Sequence, residues 1–131
     1  MGIKSQGGPM KLRLTAQKDT KLKLASEKTI AQLNDMFRQS FQGGQVVLTR
    51  GVSNLPEDIY TKVIQAVRDF NKFTNHNDPY GEHDMGMFKV EDLSFMWKID
   101  YYDVSMQYAS PDPADPSVTK RVLTIMLSSE Y

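Results

Sequence analysis

Between residues 10 and 25 the chain alternates apolar with polar positions: Met10, Leu12 and Leu14, then Leu22 and Leu24, with Lys and Arg between them. Period two predicts half-buried strands, here a candidate β-hairpin turning at "AQKD". From Ser26 onward the period becomes helical. Ile30, Leu33, Phe37 and Phe41 share a face, with Ser26 as the expected cap and Gly43-Gly44 as the expected stop. "QVVLTRGV" follows as a β-branched run of strand length. Pro56 with Glu57 and Asp58 opens a second helix, because proline suits the first turn and acids suit the positive end of the dipole. Its stripe of Ile59, Val63, Ala66, Val67 and Phe70, extended by Phe73, reads as core rather than as a cofactor box.

The second half is strand-like. "MFKV" and "LSFMWKIDYYD" flank the turn-like Glu91-Asp92. "SPDPADP" has three prolines in seven residues, which excludes a ladder or a helix interior and predicts a stiff exposed loop. The run at 122–127 reads as a buried strand. Helices gathered ahead of strands predict an α+β fold: a single domain with an antiparallel sheet of four to six strands and two helices packed on one face. Trp97 is expected in its core with Phe37, Val63, Phe70 and Ile125.

Charge divides the chain. Residues 1–28 hold seven Lys or Arg against two acids, while residues 29–131 hold nine against fourteen. The sequence thus predicts a basic N-terminal arm at 1–28 and an acidic domain at 29–131. A net charge of zero supplies no general field toward nucleic acid. The arm could still lie along phosphates through residues 10–28, helped by Arg50 or Arg121, or it could fold onto the body. With no cysteine, disulfides, thiolate zinc sites and cysteine nucleophiles are excluded. No apolar run approaches the roughly 20 residues of a membrane span, and the N-terminus lacks a long apolar signal core. A cytoplasmic protein with no membrane partner is expected.

Candidate chemistry concentrates in "NHNDPYGEHDMG", residues 75–86, which contains both histidines, His76 and His83, beside Asp78, Glu82 and Asp84. These ligand types suit zinc, manganese or iron. Their spacing matches neither HExxH nor an EF-hand loop, and Asp78-Pro79 and Tyr80-Gly81 are ordinary turn chemistry. The expectation is an ordered polar loop with no metal, in which His83 pairs with a carboxylate. In "WKIDYYD", strand alternation puts Trp97, Ile99 and Tyr101 on one face and Lys98, Asp100 and Tyr102 on the other. Asp100 and Tyr102 could meet Glu82 or His83 across the sheet in an acidic pocket, suited to acid–base work or to mimicry of phosphates. The plainer reading is a solvated face with Lys98 as partner. There is no GxSxG elbow, P-loop or GxGxxG, so no cofactor is expected.

The stretches "LNDMFRQSFQGG", "VVLTRGV", "VRDFNKF", "NDPYGEHDMG", "FMWKIDYYD", "DPADP" and "RVLTIMLSSEY" occur in the order found in a small bacterial family, domain of unknown function 3768. From about residue 32 to 131 the chain resembles that family, with "HDMG" where members usually read "HDFG". The resemblance names no reaction. It implies a setting on proteobacterial plasmids and mobile regions, often among anti-restriction genes.

Three functional readings stay open on the residues. The first is a non-enzymatic interaction protein of a mobile genetic element that binds and modulates a host defence or regulatory protein. Its surface would comprise Asp78, Tyr80, Glu82, His83, Asp84, Asp100, Tyr102, Asp103, Asp112 and Asp115. The second is a small metal-dependent hydrolase or nuclease using Glu82, His83, Asp84 and Asp100. The third is a DNA-binding accessory protein using the basic arm.

Overall fold

The computed structural model describes residues 27–131. The candidate hairpin at 10–25 and the Ser26 cap lie outside the described residues. Helix α1 (Ile30–Ser40) starts at Thr29, whose Oγ1 accepts from the Gln32 amide while Gln32 Oε1 accepts from the Thr29 amide. This reciprocal pairing satisfies two backbone donors that a helix start leaves open. The helix ends two residues ahead of Gly43, at Phe41, which takes a left-handed backbone (φ 60°) and donates its amide to Phe37 O.

Strand β1 (Gln45–Leu48) is shorter than "QVVLTRGV" predicted, because the chain then turns into the short helix α2 (Arg50–Ser53). Glu130 holds that turn: its carboxylate accepts from Thr49 Oγ1 at 2.6 Å, the Gly51 amide at 3.0 Å and the Leu127 amide at 2.9 Å. A Cβ on Gly51 would strike Leu127 and Glu130, so a bare backbone is required there. Helix α3 (Glu57–Arg68) begins after Pro56 as its sequence indicates.

Among the described residues, strands β2 (Met85–Val90), β3 (Leu93–Tyr102) and β4 (Lys120–Leu127) complete one four-stranded sheet in the order β1-β4-β3-β2. The fold is α+β in a single domain. The sheet is mixed rather than antiparallel throughout: β2, β3 and β4 pair antiparallel, but β1 pairs parallel with β4. No hairpin joins β1 to β4, so the connection leaves their relative direction free. Both α1 and α3 cover one face, where Phe37, Val63 and Val67 pack on Phe95, Trp97, Ile99, Leu123 and Ile125. Trp97 is fully buried with Phe70 edge-on at 5.6 Å, and Phe37, Val63 and Ile125 share its core. At the end where β3 finishes and β4 begins, the proline-rich loop runs outside through a 3₁₀ turn (Pro116–Val118). The described residues contain no helix long and apolar enough to cross a membrane.

Candidate functional site

The polar loop before β2 builds itself from its own side chains. Thr74 Oγ1 accepts from the amides of His76 and Asn77, and Asn77 Oδ1 accepts from the Thr74 amide. Gly81 takes a left-handed backbone (φ 65°). Asp78 is buried, and its carboxylate accepts from the Glu82 and His83 amides at 3.0 and 3.2 Å. Asp78 therefore shapes the loop from inside instead of presenting its charge on a surface.

His83 sits at φ 55°, a conformation uncommon for a residue with a side chain. Three neighbours hold it there. Its Nδ1 lies 2.9 and 3.0 Å from the two Asp35 oxygens, its ring stacks on Phe73 at 3.8 Å, and Asp78 Oδ2 stands 3.7 Å from Nε2. The carboxylate partner of His83 thus comes from α1, not from Glu82 or Asp84 beside it in sequence. Asp35 in turn accepts from Arg38 Nη2 at 2.9 Å. Arg38 is buried, donates to the carbonyls of Val67 and Arg68, and lies over the Trp97 ring at 5.0 Å.

A second buried group adjoins the first. Asn34 Nδ2 donates to Glu82 O at 2.9 Å and to the Tyr101 hydroxyl at 2.8 Å, while its Oδ1 accepts from Arg121 Nε at 2.7 Å. Tyr101 donates its hydroxyl to Glu82 Oε1 at 2.9 Å. Arg121 extends to Pro113 O and lies 5.1 Å over the Tyr101 ring. Burial raises the Tyr101 pKa well above the ordinary phenol range, and the Glu82 charge raises it further. Burial lowers the Arg121 pKa from its ordinary value, although the guanidinium keeps its charge. Burial likewise raises the Asp84 carboxyl, assisted by the negative charges of Glu82, Asp78 and Asp100.

Of the four residues of the hydrolase reading, Asp84 lies close enough to Glu82 and Asp100 to feel their charge, while the other three are engaged elsewhere. Glu82 is bound to Tyr101, His83 to Asp35, and Asp100 pairs with Lys98 on the far face of the sheet. Asp100 and Tyr102 do not meet Glu82 or His83; the strand residue that reaches Glu82 is Tyr101. Arg121 is buried, so it does not offer a surface contact for phosphate. Among the described residues no three His, Asp or Glu side chains are placed to hold a metal ion. Asp103, Asp112 and Asp115 cap their own loops, accepting from Ser105, Ala114 and Ser117 respectively.

The structure does bring the acidic segments to one end of the sheet. Residues 78–84 run beside the end of β3, where the Ile99 amide donates to Asp84 O, and Arg121 ties residue 113 to the same network. Tyr80, 86 % exposed, and Tyr108, 70 % exposed, stand in the loops at this end, with Val104 and Met106 also exposed. Sequence reasoning missed Asn34, Asp35, Arg38, Tyr101 and Arg121 as members of the network. A signal was present: Asn34 and Arg38 are four apart beside Phe37, and Arg121 alternates in phase with Leu123 and Ile125.

Compared with known families, residues 48–130 match the model described as "Protein of unknown function (DUF3768)". The chain belongs to the DUF3768 family. No curated protein and no solved structure matches it. The DUF3768 match takes in Glu82, His83, Asp84, Tyr101 and Arg121, whereas their α1 partners Asn34, Asp35 and Arg38 precede it.

Proposed function

We propose that this protein is a non-enzymatic interaction protein of a mobile genetic element, which binds and modulates a host defence or regulatory protein in the cytoplasm. The observation that carries the reading is the placement of exposed Tyr80 and Tyr108 on loops whose backbone amides donate to the carboxylates of Asp78 and Asp103. Exposed tyrosines on rigid loops supply large contact area at little conformational cost, which is how binding surfaces are made. The loops at this end of the sheet carry Glu82, Asp84, Asp103, Asp112 and Asp115, so a partner with a basic, partly apolar surface is favoured. The mobile-element setting rests on the family.

The test is affinity purification from a proteobacterial host lysate with the wild-type protein and a Tyr80→Asp, Tyr108→Asp variant of equal thermal stability. The expected result is a host protein retained by the first and lost by the second, with retention weakening as salt rises. Identical retention by both would overturn the assigned surface. A hydrolytic activity abolished by His83→Ala would replace the reading altogether.

A further inference from the structure

We propose that two copies of this chain pair antiparallel through strand β2, joining their four-stranded sheets edge to edge. Among the described residues β2 is an edge strand, paired with β3 alone. The Ile99 amide donates to Asp84 O, which fixes the phase of that ladder: counting on in twos, Gly86, Phe88 and Val90 turn their main-chain groups toward β3. The N–H and C=O groups of Met85, Met87 and Lys89 therefore point away from the sheet, and no described residue bonds them. Met87 is 63 % exposed, and Lys89 is exposed as well. Natural edges are blunted by prolines, bulges or shortness. Here six residues pair one-to-one with β3, without a bulge or a proline. The opposite edge, β1, is four residues long and turns directly into α2. Of the usual devices β2 carries one lysine, Lys89, and two-fold pairing gives that charge a place.

A second copy is the occupant because the strand is complementary to itself. A two-fold axis through Met87 sets Met87 against its own copy, Met85 against Lys89, and Gly86 against Phe88. Each of the three outward residues then exchanges both main-chain bonds with the second copy, and no group is left over. Gly86 has no side chain and lies against Trp97 and Phe70. The half-buried Phe88 of the other copy comes opposite it and covers the bare backbone. Lys89, in no ion pair among the described residues, arrives at the start of the other β2, where the acidic loop with Glu82 ends at Asp84. Opposite charges meet twice, once at each end of the paired strands.

Sedimentation equilibrium of the intact chain should show a reversible monomer–dimer equilibrium that shifts with concentration. Met87→Pro removes only an outward N–H, so it should keep the Trp97 emission of the parent and stay monomeric. A parent that is monomeric throughout, or a folded Met87→Pro that still dimerises, would overturn the proposal. Cross-linking gives a second test that needs no proline, since the chain has no cysteine of its own. Met87→Cys should oxidise to a disulfide-linked dimer roughly ten-fold faster than Tyr108→Cys, a loop residue 70 % exposed that reports chance collision. Met85→Cys mixed with Lys89→Cys should link. Met85→Cys by itself should not, because its two copies lie four residues, about 14 Å, apart along the paired strands. Equal rates for Met87→Cys and Tyr108→Cys, or ready linking of Met85→Cys to itself, refute the pairing.

Discussion

Arg121 at the start of β4 donates from Nε to Oδ1 of Asn34 in α1 across 2.7 Å, and both side chains are buried. This bond ties the helix layer to the sheet, and through Asn34 it also fixes Glu82 and Tyr101. Asn34→Ala would strand a buried guanidinium hydrogen and leave the Glu82 carbonyl without this donor. Each buried polar group left unmatched costs about 1–3 kcal/mol, and more when charged, so a loss of about 3 kcal/mol is expected. Adding Arg121→Met should cost much less than its effect alone, because the stranded charge is removed as well. Urea unfolding of the four proteins checks this, and strictly additive losses would refute the coupling.

Asp84 and Glu130 should give pH signatures of opposite sign. Burial and neighbouring acids raise the folded Asp84 pKa, so its contribution to stability falls as pH rises from the unfolded value, about 3.9, through the folded one. Asp84→Asn should therefore gain on the parent between about pH 3 and neutrality. Hydrogen bonds, first from Thr49 and then from backbone amides, lower the folded Glu130 pKa. Its contribution is present above the unfolded value, about 4.3, and is lost as pH falls through the folded one. Glu130→Gln should lose most at neutral pH and converge on the parent in acid. Thermal midpoints measured across this range decide both; parallel curves for either variant would contradict its assignment.

Gly86 lies against the tryptophan. A Cβ there would approach Trp97 Nε1 to 2.6 Å and the Phe70 ring to 2.7 Å. Two packed rings cannot yield cheaply, so Gly86→Ala should cost about 1–3 kcal/mol and shift Trp97 emission. Phe70→Ala, which removes a half-buried ring from the same packing, should cost less than the about 3–5 kcal/mol of a fully buried Phe. Fluorescence-monitored denaturation reads both, and native-like emission with unchanged stability in Gly86→Ala would contradict the close packing.

Removing residues 1–24 should leave a cooperative unfolding transition. Among the described residues the core around Trp97 is drawn from Phe37 to Leu127, so the described helices and strands are expected to survive the deletion. Calorimetry tests this; loss of any transition would place the arm's leucines within the indispensable core.

The sequence by itself determined the elements and their apolar faces. Periods of 3.6 and 2 are local properties, so the stripe from Ile59 to Phe70, the alternation through Trp97 and Ile99, and the proline-rich loop were legible. The polar loop at 75–86 was also legible, because Asn, Asp, Pro and Gly write turn chemistry into adjacent residues. Only the tertiary structure decided the partners. His83 takes Asp35, 48 residues away, in preference to the acids at either side, and Tyr101 rather than Asp100 reaches Glu82. Asn34 and Arg121, 87 residues apart, meet because α1 lies across the start of β4. The parallel pairing of β1 with β4 belongs to the same class, since strand direction depends on which edge is free when the layers close. Local patterning says which face of an element is buried. It carries no information on which buried polar group lies opposite, and that is settled when helix and sheet pack together.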